Sequence, residues 1–147
     1  MNRREFISTA VAATVARPSP PPNIVFILAD DLGYGDVGCF GQQKIRTPNI
    51  DRLRASGIRL TRHYSGSPVC APSRCVLMTG LHSGHSAIRN NQEVKPEGQA
   101  PLPAGTQTLA RILQSRGYAT GGFGKWGLGG PDSPGAPLRQ GFDRFFG

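Results

Sequence analysis

The chain has 147 residues, enough for one modest domain with a core of its own. Its formal net charge is +8, its hydrophobic fraction is 37%, and its 20 glycines and 13 prolines call for many loops and short elements. Such a balance suits anionic partners, but Lys and Arg are scattered rather than clustered, which argues against a basic nucleic-acid tail.

The first residues read as an export signal rather than as part of the fold. Asn2, Arg3, Arg4, Glu5, Phe6 and Ile7 resemble a twin-arginine motif, and residues 7–16 form a short stretch of small and apolar residues. Thr14, Val15 and Ala16 are suited to precede a cleavage site. The stretch falls short of the roughly 20 residues that a membrane-spanning helix needs, so no membrane span is expected. The expected organisation is a signal over residues 1–16, a stiff Pro-rich spacer over 17–22 and a folded part over 23–147. A chain of this kind is exported from a bacterial cytoplasm to the periplasm or beyond.

Residues 24–29 are a continuous apolar run, the pattern of a strand buried on both faces. It ends in Asp30 and Asp31, and a Gly-rich loop follows. Thr47 and Pro48 have the form of an N-cap and a first helical proline, with Ile50 and Leu53 at helical spacing and Gly57 as the stop. Residues 58–64 alternate as a strand does. A second helix is expected from Pro72 or Ser73 to Thr79, capped by Gly80. A third is expected over 106–116, capped by Thr106, with Leu109, Ile112 and Leu113 toward the core and Gly117 closing it. Residues 118–123 are expected to form a second core strand. Strands alternating with helices predict an α/β fold, a three-layer sandwich with a mostly parallel sheet. Ligands of such sheets bind beyond the carboxyl ends of the strands. Asp30, Asp31, Cys70 and Lys125 all follow expected strands.

Three cysteines, Cys39, Cys70 and Cys75, are an odd number and argue against a closed disulfide framework. Their spacing fits no zinc site. Cys39 and Cys75 read as small buried residues.

Cys70, Ala71, Pro72, Ser73, Arg74, Cys75, Val76, Leu77, Met78, Thr79 and Gly80 follow the pattern C-x-P-S-R-x-x-L-x-T-G at each fixed position. Through this segment the chain resembles the formylglycine-dependent sulfatases (the arylsulfatase family) of the alkaline-phosphatase-like superfamily. Residues 29–36 resemble that family's first metal-binding segment. Residues 117–120 with Gly124, Lys125, Trp126, Gly127, Leu128 and Gly129 resemble its second signature.

The resemblance implies hydrolysis of sulfate esters. It implies that a separate formylglycine-generating maturation enzyme reads Cys70, Pro72 and Arg74 and oxidises Cys70 to formylglycine. One hydroxyl of the hydrated aldehyde attacks the ester sulfur and the alcohol leaves; the second loses its proton, sulfate is eliminated and the aldehyde returns. The implied metal ligands are Asp30, Asp31 and the formylglycine at Cys70, around Ca2+ or alternatively Mg2+. The implied catalytic residues are Cys70, Arg74 and Lys125, with Lys125 also contacting the sulfate. The residues themselves suit these roles. Cys70 is expected near a helix N-terminus, which favours negative charge. Arg74 lies one turn further on the same face. Asp30 and Asp31 repel each other unless a cation or strong donors are near. Asp36 reads as a turn residue and Trp126 as packing.

Two departures stand out. Many relatives have His where this chain has Gly127, so the acceptor of the hydrate proton is unassigned. His82 and His85 are alternatives, though both read more simply as surface residues; the hypothesis that His85 moves the proton would not survive unchanged turnover of a His85→Ala enzyme. The chain also stops, by comparison with that family, mid-fold, before its later metal ligands and second lysine. The expectation is that residues 17–147 alone are inactive. The substrate is expected to be a sulfated polysaccharide or a smaller sulfate ester, not nucleic acid. Competing readings are a formylglycine-dependent phosphonate or phosphodiester hydrolase, a non-catalytic basic module for acidic polymers, and a decayed pseudo-enzyme.

Overall fold

A computed structural model describes residues 20–147 apart from Glu97. The export signal expected over 1–16 lies outside the described residues, as do residues 17–19 of the spacer. The chain divides into two compact units, Met1–Asp31 and Leu32–Gly147.

In the first unit the described residues form neither helix nor strand. The strand expected over 24–29 is not made, and its side chains are open to solvent, Val25 at 83% and Ile27 at 82%. An apolar run becomes a buried strand only where neighbours offer a ladder on its edges and layers on its faces. Among the described residues no strand pairs with it.

The second unit opens with two 3-10 turns, Tyr34–Asp36 and Gly38–Phe40. Asp36 is a turn residue: its carboxylate accepts the Gly33 N–H at 2.7 Å, and its own N–H donates to the Gly33 carbonyl. The first helix, α1 (Pro48–Ser56), starts and stops where its proline and Gly57 direct it. Thr47 does not cap it. The Thr47 hydroxyl instead accepts the Gly38 N–H at 2.7 Å and donates to Asp51, whose carboxylate also accepts the Cys39 N–H. The helix thus holds the second 3-10 turn by its N-terminal side chains and buries none of its own residues. Cys39 is half-buried rather than buried. Residues 58–64 do not form the expected strand, and Ile58 is 90% exposed. Alternation alone cannot hold a strand without a ladder partner.

The core lies around α2 (Cys70–Thr79), which begins earlier than expected. Ala71, Cys75 and Met78 recur along one face and pack with Ile88, Leu102, Ala110 and Leu128, flanked by Trp126 and Phe142. Gly80 ends the helix at φ 68°, a left-handed cap that costs glycine little. Helix α3 (Leu109–Ser115) starts two residues later than a Thr106 cap would dictate. Its cap is Thr108, whose hydroxyl oxygen accepts the Arg111 N–H while donating to the Gln140 carbonyl at 2.6 Å. Thr108 is wholly buried, and that anchor turns Ala110 inward, leaving Leu109 and Ile112 exposed at 40% and 44% and Leu113 half-buried. The expected core face of α3 is therefore wrong.

Strand β1 (Gly121–Phe123) is shorter than the expected 118–123. It pairs in parallel with β2 (Arg144–Phe146), Gly122 opposite Phe145. A Cβ at Gly122 would meet the Phe145 ring at 2.9 Å and the Phe142 ring at 3.2 Å, so the close approach of these rings requires glycine. The crossover between the strands carries a 3-10 turn, Pro137–Gln140, and Trp126 and Phe142, which cluster with Phe145 of β2. Trp126 is a packing residue, its indole N–H donating to the Gly135 carbonyl at 2.8 Å. A parallel pair with helices agrees with the α/β class. Among the described residues no helix is long and apolar enough to cross a membrane.

Candidate active site

The site is built where the start of α2 meets the loop after β1. Val69 precedes α2 in an extended conformation and offers no capping side chain. Cys70 and Ala71 are its first two residues, and Pro72, third, has no N–H to leave unsatisfied. The Ser73 N–H closes the first turn on the Val69 carbonyl at 3.1 Å. Cys70 is half-buried at the positive end of the helix dipole.

Lys125 reaches this point from the far side. Past β1 the chain turns at Gly124 (φ 90°), whose N–H still bonds the Phe146 carbonyl at 2.8 Å. The Lys125 Nζ then lies 3.3 Å from the Cys70 Sγ. One turn along α2, the Arg74 Nη1 donates to the Lys125 carbonyl at 2.8 Å. The Lys125 ammonium thus stands beside the side chain at position 70, with its backbone held by Arg74, an arrangement that can take an anion and neutralise charge developing on it. Three of the sequence-predicted residues, Cys70, Arg74 and Lys125, come together.

Position 127 also borders this group. Gly127 has φ 72°, and a Cβ there would meet the Arg74 Cδ at 3.7 Å, an ordinary contact. His82 and His85 are exposed on the turn beyond α2. The His82 Nδ1 accepts the Gly84 N–H, and among the described residues neither histidine is hydrogen-bonded to Cys70. Beneath the site the buried Cys75 thiol and the Ile88 carbonyl both lie within reach of the Ser86 hydroxyl, at 3.0 and 2.8 Å. With one proton to give, Ser86 donates to the carbonyl and receives from the thiol.

Asp30 and Asp31 close the first unit as exposed residues, Asp31 in the left-handed region at φ 56°. Among the described residues no three His, Cys, Asp or Glu side chains converge on one point. Calcium takes roughly six to eight oxygen ligands. These residues therefore do not fit a complete metal centre, although adjacent carboxylates are the right donors to contribute to one.

One residue near the site has no signal in the sequence. The Asn91 Oδ1 accepts the Ala71 N–H at 3.0 Å, from a loop 20 residues further on. No motif or periodicity marks it.

The sulfatase family model matches residues 22–147. Mouse steryl-sulfatase is 44% identical over 142 residues, 90% of this chain and 23% of that protein. Human arylsulfatase A is 44% identical over 146 residues, 99% of this chain and 28% of that protein. A solved structure from work on the metabolism of multiple glycosaminoglycans by Bacteroides thetaiotaomicron is 36% identical with a TM-score of 0.75, covering 85% of this chain and 28% of that one. With its α/β fold and this site, the chain belongs to the sulfatase family. It spans about a quarter of the length of the curated relatives it matches.

Proposed function

We propose that the chain is the nucleophile-bearing part of an enzyme that hydrolyses sulfate esters, with Cys70 converted to formylglycine by a maturation enzyme that reads Cys70, Pro72 and Arg74. The observation that carries this reading is the Lys125 Nζ at 3.3 Å from the Cys70 Sγ, at the start of α2. Once formed, the hydrated aldehyde at position 70 would supply one hydroxyl to attack the ester sulfur as the S–O bond to the alcohol breaks, and a second hydroxyl whose lost proton would let sulfate leave and restore the aldehyde. This chain's own residues bind and orient. Lys125 neutralises a sulfate oxygen, and the α2 N-terminus adds its dipole. Arg74 holds the Lys125 backbone in place. The acceptor of the hydrate proton is unassigned, because position 127 is Gly.

Asp30 and Asp31 are proposed to contribute oxygen ligands to a Ca2+ or Mg2+ site. In keeping with the incomplete ligand set and the exposed apolar run over 24–29, residues 17–147 alone are expected to lack activity. Arg3 and Arg4 with the apolar stretch after them support export. The basic charge, and the glycosaminoglycan context of the solved relative, favour a sulfated polysaccharide as substrate.

The test is the mass of the Cys70 peptide after co-expression with a formylglycine-generating enzyme, followed by turnover of an aryl sulfate by the matured enzyme. Conversion to the aldehyde with turnover supports the reading; a thiol left unmodified overturns it. Comparing rates on an aryl phosphodiester separates the phosphodiesterase reading, which shares the same nucleophile.

A further inference from the structure

The first turn of α2 has an unusual set of donors. Its cap position is Val69, which has no side-chain acceptor, and its third residue is Pro72, which has no N–H. The Ala71 N–H is satisfied instead by the Asn91 carboxamide oxygen. Asn91 stands at the foot of a small pinched loop. The Gln92 N–H donates to the Gln99 Oε1 at 3.0 Å, the Ala100 N–H to the Gln92 carbonyl at 2.8 Å, and the Val94 N–H to the Gly98 carbonyl at 3.0 Å. The clamp on the helix is therefore delivered by a separately braced segment.

An aspartate has the same shape and accepts the same bond. At a helix N-terminus its full charge stabilises the helix as well as or better than asparagine does. Yet a carboxylate here would stand one residue from Cys70, beside the point on which Lys125 converges. We infer that Asn91 is a positioning residue of the anion site: it clamps the start of the nucleophile helix through a neutral oxygen, so that the positive potential of Lys125 and the helix end stays undiminished for the incoming sulfate group. The inference rests on the proposed function only in taking that anion to be a sulfate ester.

The experiment compares wild type, Asn91→Asp and Asn91→Ala in the full enzyme carrying this chain. Inorganic sulfate binding is measured by calorimetry, thermal midpoints in sulfate-free buffer, and KM and kcat on an aryl sulfate. Asn91→Asp is expected to keep the wild-type midpoint, to weaken sulfate binding about tenfold through one added charge a few ångströms away, and to raise KM more than it lowers kcat. Asn91→Ala is expected to lower the midpoint and to weaken sulfate binding less than Asn91→Asp does. Sulfate binding equal in wild type and Asn91→Asp, equal weakening in both variants, or no sulfate binding by wild type overturns the inference. A wild type that binds sulfate but does not turn over the aryl sulfate defeats the functional reading alone, and the binding comparison still decides the role of Asn91.

Discussion

The Arg74 guanidinium donates to the main-chain carbonyl of Lys125 at 2.8 Å, across 51 residues of sequence. The arginine of the nucleophile helix thereby sets the height of the lysine whose ammonium meets Cys70. Arg74→Ala releases that carbonyl and is expected to lower kcat of the matured enzyme about 100-fold, the order seen when a positioned charge-stabilising donor is lost. Arg74→Lys should restore little, because a single ammonium lacks the planar fork. Steady-state kinetics with an aryl sulfate check both.

Lys125 itself is expected to matter more to the rate than to the fold, since its side chain is exposed. Lys125→Ala should lower kcat/KM about 100- to 1000-fold and leave the thermal midpoint close to wild type. A large loss of midpoint in calorimetry would mean that the residue is structural instead.

Cys75 carries the opposite expectation. It is wholly buried against the Ser86 hydroxyl and lies away from the nucleophile position. Cys75→Ala removes a packed sulfur and the partner of that hydroxyl, with an expected cost of about 1–2 kcal/mol in denaturant unfolding. The mass of the Cys70 peptide after maturation should still report the aldehyde.

Asp143 links stability to pH. Its pKa is lowered from the ordinary 3.8 chiefly by the Thr120 N–H, then by the Gln114 amide and the Thr120 hydroxyl, against a small opposing effect of burial. Because the folded value lies below the unfolded one, the stabilisation is fully present above the unfolded pKa and fades as pH falls through the folded value. Thermal midpoints of wild type and Asp143→Asn should differ at neutral pH and converge in the acid range below 3.8. A constant difference across that range would refute the linkage.

Gly122→Ala places a methyl group against the Phe145 and Phe142 rings. Overpacking of this kind is expected to cost about 1–3 kcal/mol, read as a lower denaturant midpoint. Catalysis by the protein that remains folded should change little.

What was legible in the sequence was local. Pro48 opens α1, and Gly80 and Gly117 close the next two helices, because a missing N–H or a left-handed φ acts within one turn. The spacing of Cys70 and Arg74 places both at one end of α2 for the same reason. The strands over 24–29 and 58–64 did not form, because a strand depends on partners that composition and alternation do not specify. The cap of α3 moved from Thr106 to Thr108 because the Thr108 hydroxyl also has the Gln140 carbonyl to bond, 32 residues away.

By itself, then, the sequence determined the helix that carries Cys70, the residues around that cysteine and the family to which they point. Only the tertiary structure decided that Lys125, 55 residues away, meets the sulfur, and that Asn91 holds the helix end. Helix caps and turns are settled by groups a few bonds apart, whereas these contacts exist only once the loops after β1 and α2 have packed on the core.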